Sequence, residues 1–110
     1  MDINFLKSQF SKYKKDLLDL NKYMYENPEL GYQEIKSVNK ITKLIKKHTA
    51  DAKFKKFTDI PTAFTASINN KPRRENIAIC IEYDALPNVG HACGHNLISS
   101  IGLGLSLIHI

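Results

Sequence analysis

The chain has 110 residues, 43% of them hydrophobic, enough for one modest core in one small domain. Its net charge is +5, yet all 16 Lys and Arg precede residue 75, mixed with eight acids, and only two of them are Arg. That lysine-dominated mixture reads as a solvated surface rather than a nucleic-acid footprint, and the absence of a long apolar run or a secretory leader pattern argues against a membrane span or export.

The expected location is the cytoplasm, with Cys80 and Cys93 as reduced thiols, since two cysteines make no disulfide framework. Leu6, Phe10, Tyr13, Leu17, Leu20 and Met24 recur at spacings of three and four, the apolar stripe of an amphipathic helix. Asn27-Pro28 should end it, because a residue before proline is pushed out of the helical region. Ile35, Val38, Ile41 and Ile45 mark a second helix over about residues 33 to 48. Residues 51 to 59 read as a turn with a short strand near Phe54 and Phe57, and Thr62 to Ile68 as a further strand. "NNKPRRE", residues 69 to 75, is a polar connector. Ile77 to Ile81 is a continuous apolar run, as expected of a strand buried on both faces, with Cys80 in the core. From Asn96 to Leu107 a helix is expected, with Leu97, Ile98, Ile101 and Leu105 facing inward. The order is helix, helix, strand, strand, strand, loop, helix, an α/β chain.

Between the last strand and the last helix lies "NVGHACGHNLI". His91, Cys93 and His95 stand at alternate positions, so in an extended loop they would converge on one side. Imidazole and thiolate suit zinc-like metals, and the absence of Lys and Arg after residue 74 suits a cation site. Glu82 and Asp84, two apart at the preceding strand end, add carboxylates that either ligate directly or accept the far N–H of a ligating imidazole. In open α/β sheets such strand ends are where sites form. Three such residues do not make a closed four-ligand zinc knot, and the spacing alone is also compatible with buried small and polar residues of no special chemistry. His48 and His109 are isolated, and nothing is assigned to them.

"EYDALPNVGHACGHNLI" resembles the metal-binding signature of the di-metal aminoacylase/carboxypeptidase peptidase family, in particular the amidohydrolases related to p-aminobenzoyl-glutamate hydrolase and auxin-conjugate hydrolases. "YENPELGYQE", residues 25 to 34, is similar to that family's box between its first two helices. The resemblance implies the N-terminal part of a zinc-peptidase-like catalytic domain: two helices, strands of a central sheet, the ligand loop, a helix. It implies Cys93 and His95 as metal ligands and Asp84 as the catalytic-site acid that orients the metal. Glu82 stands where many relatives carry a histidine ligand, and Tyr25 where many carry a histidine. His91 matches a usual position without a ligand role. Pro28, Glu29 and Gly31 shape the turn between the helices.

The family's general base is a glutamate downstream of the loop, and this chain has no Asp or Glu after Asp84. The expectation is therefore a single incomplete N-terminal portion, residues 1 to 110, of a metal-dependent amidohydrolase or peptidase. The complete protein would cleave N-acyl or peptide-like amino-acid conjugates, hold two zinc ions with manganese as the alternative, and form a homodimer. The isolated portion is expected to be inactive. The alternative from a different class is a noncatalytic module that binds metal or packs against a partner.

Overall fold

The computed structural model describes residues 2 to 68 and 75 to 109. It contains α1 (Ile3–Glu26), α2 (Ile35–His48), β1 (Lys53–Lys56), β2 (Phe64–Ser67) and α3 (His95–Ile108). The chain is mixed α/β, with three helices and one two-stranded antiparallel sheet among the described residues. The expected connector over residues 69 to 75 lies outside them save for Glu75. No described helix is long and apolar enough to cross a membrane.

Asp2 caps α1, its Oδ1 accepting from the Asn4 amide at 3.0 Å. Asn27 closes the other end, its side-chain amide donating to the Tyr23 carbonyl at 2.9 Å just before Pro28. The start of α2 is capped from a distance. Glu29 Oε2 accepts from the Lys36 amide at 2.9 Å, and its Oε1 accepts from the Ser37 amide and hydroxyl, each at 2.7 Å. The last turn of α2 carries Lys46, Lys47 and His48, the sign its dipole favours.

The core is Leu17, Leu20 and Met24 of α1, Ile41, Leu44 and Ile45 of α2, and Leu103 and Leu107 of α3. The expected stripe of α1 is buried only over its second half, since Phe10 is 39% exposed. In α2, Ile35 lies outside the buried face and Leu44 lies in it. In the sheet Phe54 pairs with Ala66 and Lys56 with Phe64. Phe54, Phe64 and Tyr83 form a row of rings with centroids 6.2 and 6.3 Å apart, which ties the hairpin to the segment bearing Glu82 and Asp84.

Two expectations are corrected. Residues 77 to 81 form no strand: Ile77 is 92% exposed and Cys80 is exposed rather than in the core. A strand buried on both faces needs neighbours along its edges and cover above and below. Here β1 and β2 pair with each other, and α3 covers one side of the run, against Ile79 and Ile81.

The second correction concerns α3, whose faces are inverted. Leu97, Ile98, Ile101 and Leu105 are all exposed, whereas Asn96, Ser99, Ser100, Gly102, Leu103, Gly104 and Leu107 face inward. Close approach decides this. A Cβ on Gly102 would sit 2.5 Å from Ile81 Cγ2, so the helix lies nearer the Ile81 segment than any side chain there allows. The inward polar groups find partners: Ser99 Oγ donates to the Glu82 carbonyl, and Asn96 Nδ2 donates to Asn21 Oδ1 at 2.8 Å.

Candidate metal centre

The site is assembled by two backbone links. Ala85 N donates to the Glu29 carbonyl at 2.7 Å, and Leu30 and Ala85 form a parallel bridge, so the "NPELG" turn braces the "EYDALP" segment. The Leu86 amide donates to the Gly90 carbonyl at 2.9 Å and the Gly90 amide returns a bond at 3.2 Å, closing a tight turn that delivers the chain to His91. Gly94 then adopts φ 78° at the N-cap of α3, a left-handed conformation that glycine takes without a steric cost.

Because the helix starts at His95, residues 91 to 95 are not an extended run, and the expected alternation does not bring three side chains together. His91 points inward and is 7% exposed, whereas Cys93 is exposed. His95 is held between the two carboxylates. Its Nδ1 is 2.8 Å from Asp84 Oδ1 and 3.1 Å from the Asp84 carbonyl, and its Nε2 is 2.8 Å from Glu82 Oε2. Glu82 is the looser of the two, its side chain 63% exposed against 38% for Asp84. The carboxylates lie on opposite edges of one ring, so they share no common point for an ion. Among the described residues no three or more His, Cys, Asp or Glu side chains are grouped to hold a metal.

Among the described residues, no group is in hydrogen-bonding geometry with either ring nitrogen of His91. Burial pushes its pKa down, and the neighbouring His95 pushes the same way, against the opposing charge of Asp84. The ring is therefore favoured neutral, which is the form a metal or a donor can use.

The donor chemistry fits a zinc-like ion in part. Imidazole, thiol and carboxylate are all present, and Asp84 on Nδ1 is the arrangement that fixes a ligating histidine with Nε2 free to bind. Glu82 Oε2 lies in that Nε2 direction at 2.8 Å, so the carboxylate would have to turn away, or join the donors, for an ion to reach Nε2. Tyr25, which the resemblance sets where many relatives carry a histidine, is 66% exposed.

One group was missed in the sequence. Glu34, the last residue of the "YENPELGYQE" box, is 8% exposed, and its Oε2 is buried with no hydrogen-bond partner among the described residues. Its sequence signals were its place as the closing glutamate of that box and a charge at the start of α2, where acids are common, and neither pointed to burial.

No protein-family model matches the chain. It is 35% identical over 95 residues to the Xaa-Arg dipeptidase of Mus musculus, covering 80% of this chain and 22% of that protein. It is 27% identical over 106 residues to the N-acetyldiaminopimelate deacetylase of Oenococcus oeni, 83% of this chain and 28% of that one. It is 24% identical over 113 residues to thermostable carboxypeptidase 2 of Saccharolobus solfataricus, 90% of this chain and 28% of the relative. The chain belongs to the aminoacylase/carboxypeptidase family of amidohydrolases and peptidases. It spans between about a fifth and a third of the length of these curated relatives.

Proposed function

We propose that the chain is one portion of a longer catalytic domain that hydrolyses the amide bond of dipeptides or N-acyl amino acids, with Cys93 and His95 as metal ligands. The observation that carries this reading is Asp84 Oδ1 at 2.8 Å from His95 Nδ1. Zinc suits thiolate and imidazole best, manganese is the alternative, and two ions serve the complete protein. When bound, the metal supplies Lewis-acid polarisation of the amide carbonyl and a more acidic water. Asp84 holds the Nδ1 proton of His95 and fixes its tautomer. Glu82, on the outer edge of the ring, swings aside or joins the donors.

The base that takes a proton from water is not among the residues after Asp84, which include no acid. In this reading it and the remaining ligands belong to the part of the relatives that the chain does not span. The 110 residues alone then bind at most one metal ion and turn over no substrate, because a missing general base costs about two to four orders of magnitude. The complete protein acts in the cytoplasm as a homodimer, a location to which the free thiols Cys80 and Cys93 are suited. The test is hydrolysis of N-acyl amino acids and dipeptides with zinc or manganese added, alongside elemental analysis. No turnover and at most one ion is the expected result, and two tightly held ions with multiple turnover would overturn the assignment of the residues.

A further inference from the structure

His95, Ser99 and Gly102 stand at i, i+4 and i+7 of α3, so they share one face of the helix. Their partners run backward along the preceding segment. His95 Nδ1 lies 2.8 Å from Asp84 Oδ1 and 3.1 Å from the Asp84 carbonyl, Ser99 Oγ donates to the Glu82 carbonyl, and Gly102 lies against Ile81 and Ile79. Four residues of helix rise about 6 Å, and two residues of extended chain span about 6.6 Å. The step from His95 to Ser99 thus matches the step from Asp84 to Glu82.

The side chains shrink along this stripe, from imidazole to hydroxyl to hydrogen. The helix comes closest at Gly102, where a Cβ would sit 2.5 Å from Ile81 Cγ2. That apolar contact sets how near α3 lies to the segment. It does not set the register, because apolar burial has no direction. A hydrogen bond does. Among the described residues, Ser99 makes the one hydrogen bond from α3 to residues 81 to 84 besides those of His95 itself. Ser99 is 0% exposed, so water does not compete for it.

Register matters at His95. A carbonyl oxygen only accepts, so the two Asp84 contacts together require the proton on Nδ1. Nε2 is then the edge left for a ligand. The segment is already fixed from its other side, by Ala85 N on the Glu29 carbonyl and by the Tyr83 hydroxyl on the Thr62 carbonyl. What remains to be fixed is α3, and a coordinating side chain has to be held within about 0.5 Å of its place.

We propose that Ser99 is a positioning residue of the candidate metal centre: its hydroxyl fixes where α3 lies along residues 82 to 84 and so holds the His95 ring against Asp84. Ser99 touches neither ion nor substrate. The proposal rests on the reading of His95 as a metal ligand, and it adds the residue that aims the ring.

Ser100 supplies the control. It is a neighbouring buried serine whose hydroxyl donates within the helix, to the Asn96 carbonyl at 2.9 Å. The test compares Ser99→Ala and Ser100→Ala in the full 110-residue chain. Nitrogen–proton spectra in EDTA should show the His95 Nδ1–H exchanging with water at least fivefold faster in Ser99→Ala and within twofold of the parent in Ser100→Ala. Cobalt(II) titration should show affinity about tenfold weaker in Ser99→Ala, the lower end for loss of an outer partner, and within twofold of the parent in Ser100→Ala. If Ser99→Ala does not fold, Ser99→Cys, close in volume and a weak donor, carries the EDTA comparison. Exchange faster by less than fivefold at Ser99, or equal effects of the two serines, would overturn the proposal. So would unchanged cobalt affinity in Ser99→Ala. The two arms separate the proposal from the metal reading. No cobalt binding by the unsubstituted chain removes the metal reading, while the EDTA arm still decides whether Ser99 holds the ring.

Discussion

The Glu29 carbonyl accepts a hydrogen bond from Ala85 N at 2.7 Å, while the Glu29 carboxylate caps the first turn of α2 through Lys36 and Ser37. One residue thus fixes both the start of a helix and the position of the segment that carries Glu82 and Asp84. The "NPELG" turn acts on the candidate site through this brace, although its own side chains are not donors there.

Glu29→Ala should therefore cost about 1–2 kcal/mol, the usual loss for a cap. Two amides and the buried Ser37 hydroxyl lose their acceptor together. Hydrogen exchange should show the first turn of α2 opening ahead of its last turn. Uniform exchange along α2 would contradict the cap.

The inverted faces of α3 lead to an opposed pair of outcomes. Leu103→Ala, at a position 4% exposed, should lose about 2–5 kcal/mol. Ile101→Lys, at a position 68% exposed, should stay within about 0.5 kcal/mol of the parent. Urea midpoints of the two variants check the assignment, and the reverse order would restore the face expected from apolar spacing.

Asp16 gives the pH dependence. Its Oδ2 lies 2.8 Å from Lys47 Nζ and 2.7 Å from His48 Nε2, and the bonds to Lys47 and then His48 hold its carboxyl below its ordinary value. A carboxyl depressed in the folded state contributes stability above its unfolded pKa, about 4, and loses it as pH falls through the folded value. The pair is near the surface, so the loss should stay below about 1 kcal/mol. Asp16→Asn should flatten the stability profile below pH about 4. An unaltered acid limb would show that the α1–α2 ion pairs contribute nothing.

The sequence was a good guide to α1 and α2 because their buried positions are large and apolar at helical spacing. It misled at α3, where Ser99, Ser100 and Gly102 pack inward beside Leu103 and Leu107 while Leu97, Ile98, Ile101 and Leu105 stay outside. Apolar counts reward size, whereas close approach to Ile81 rewards its absence. The run at residues 77 to 81 misled for a related reason: its composition describes a strand with cover on two sides, and α3 covers one. At the site, Glu82, Asp84 and His95 were all legible as chemistry. Their meeting was not, because it depends on the helix beginning at His95, a boundary set by Gly94 in the left-handed conformation. Glu34 stood at the end of the "YENPELGYQE" box, but its burial was illegible, since burial of one acid leaves no periodic trace.

The central claim, a metal held by Cys93 and His95 with Asp84 behind the ring, is tested most directly by titrating the chain with cobalt(II) as a stand-in for zinc. A thiolate-to-cobalt absorption band should appear and vanish in Cys93→Ser. Asp84→Asn should weaken binding about 10- to 100-fold, as loss of a histidine-orienting carboxylate does, while His91→Ala should weaken it least. No thiolate band, or equal losses at His91, Cys93 and His95, would contradict the account.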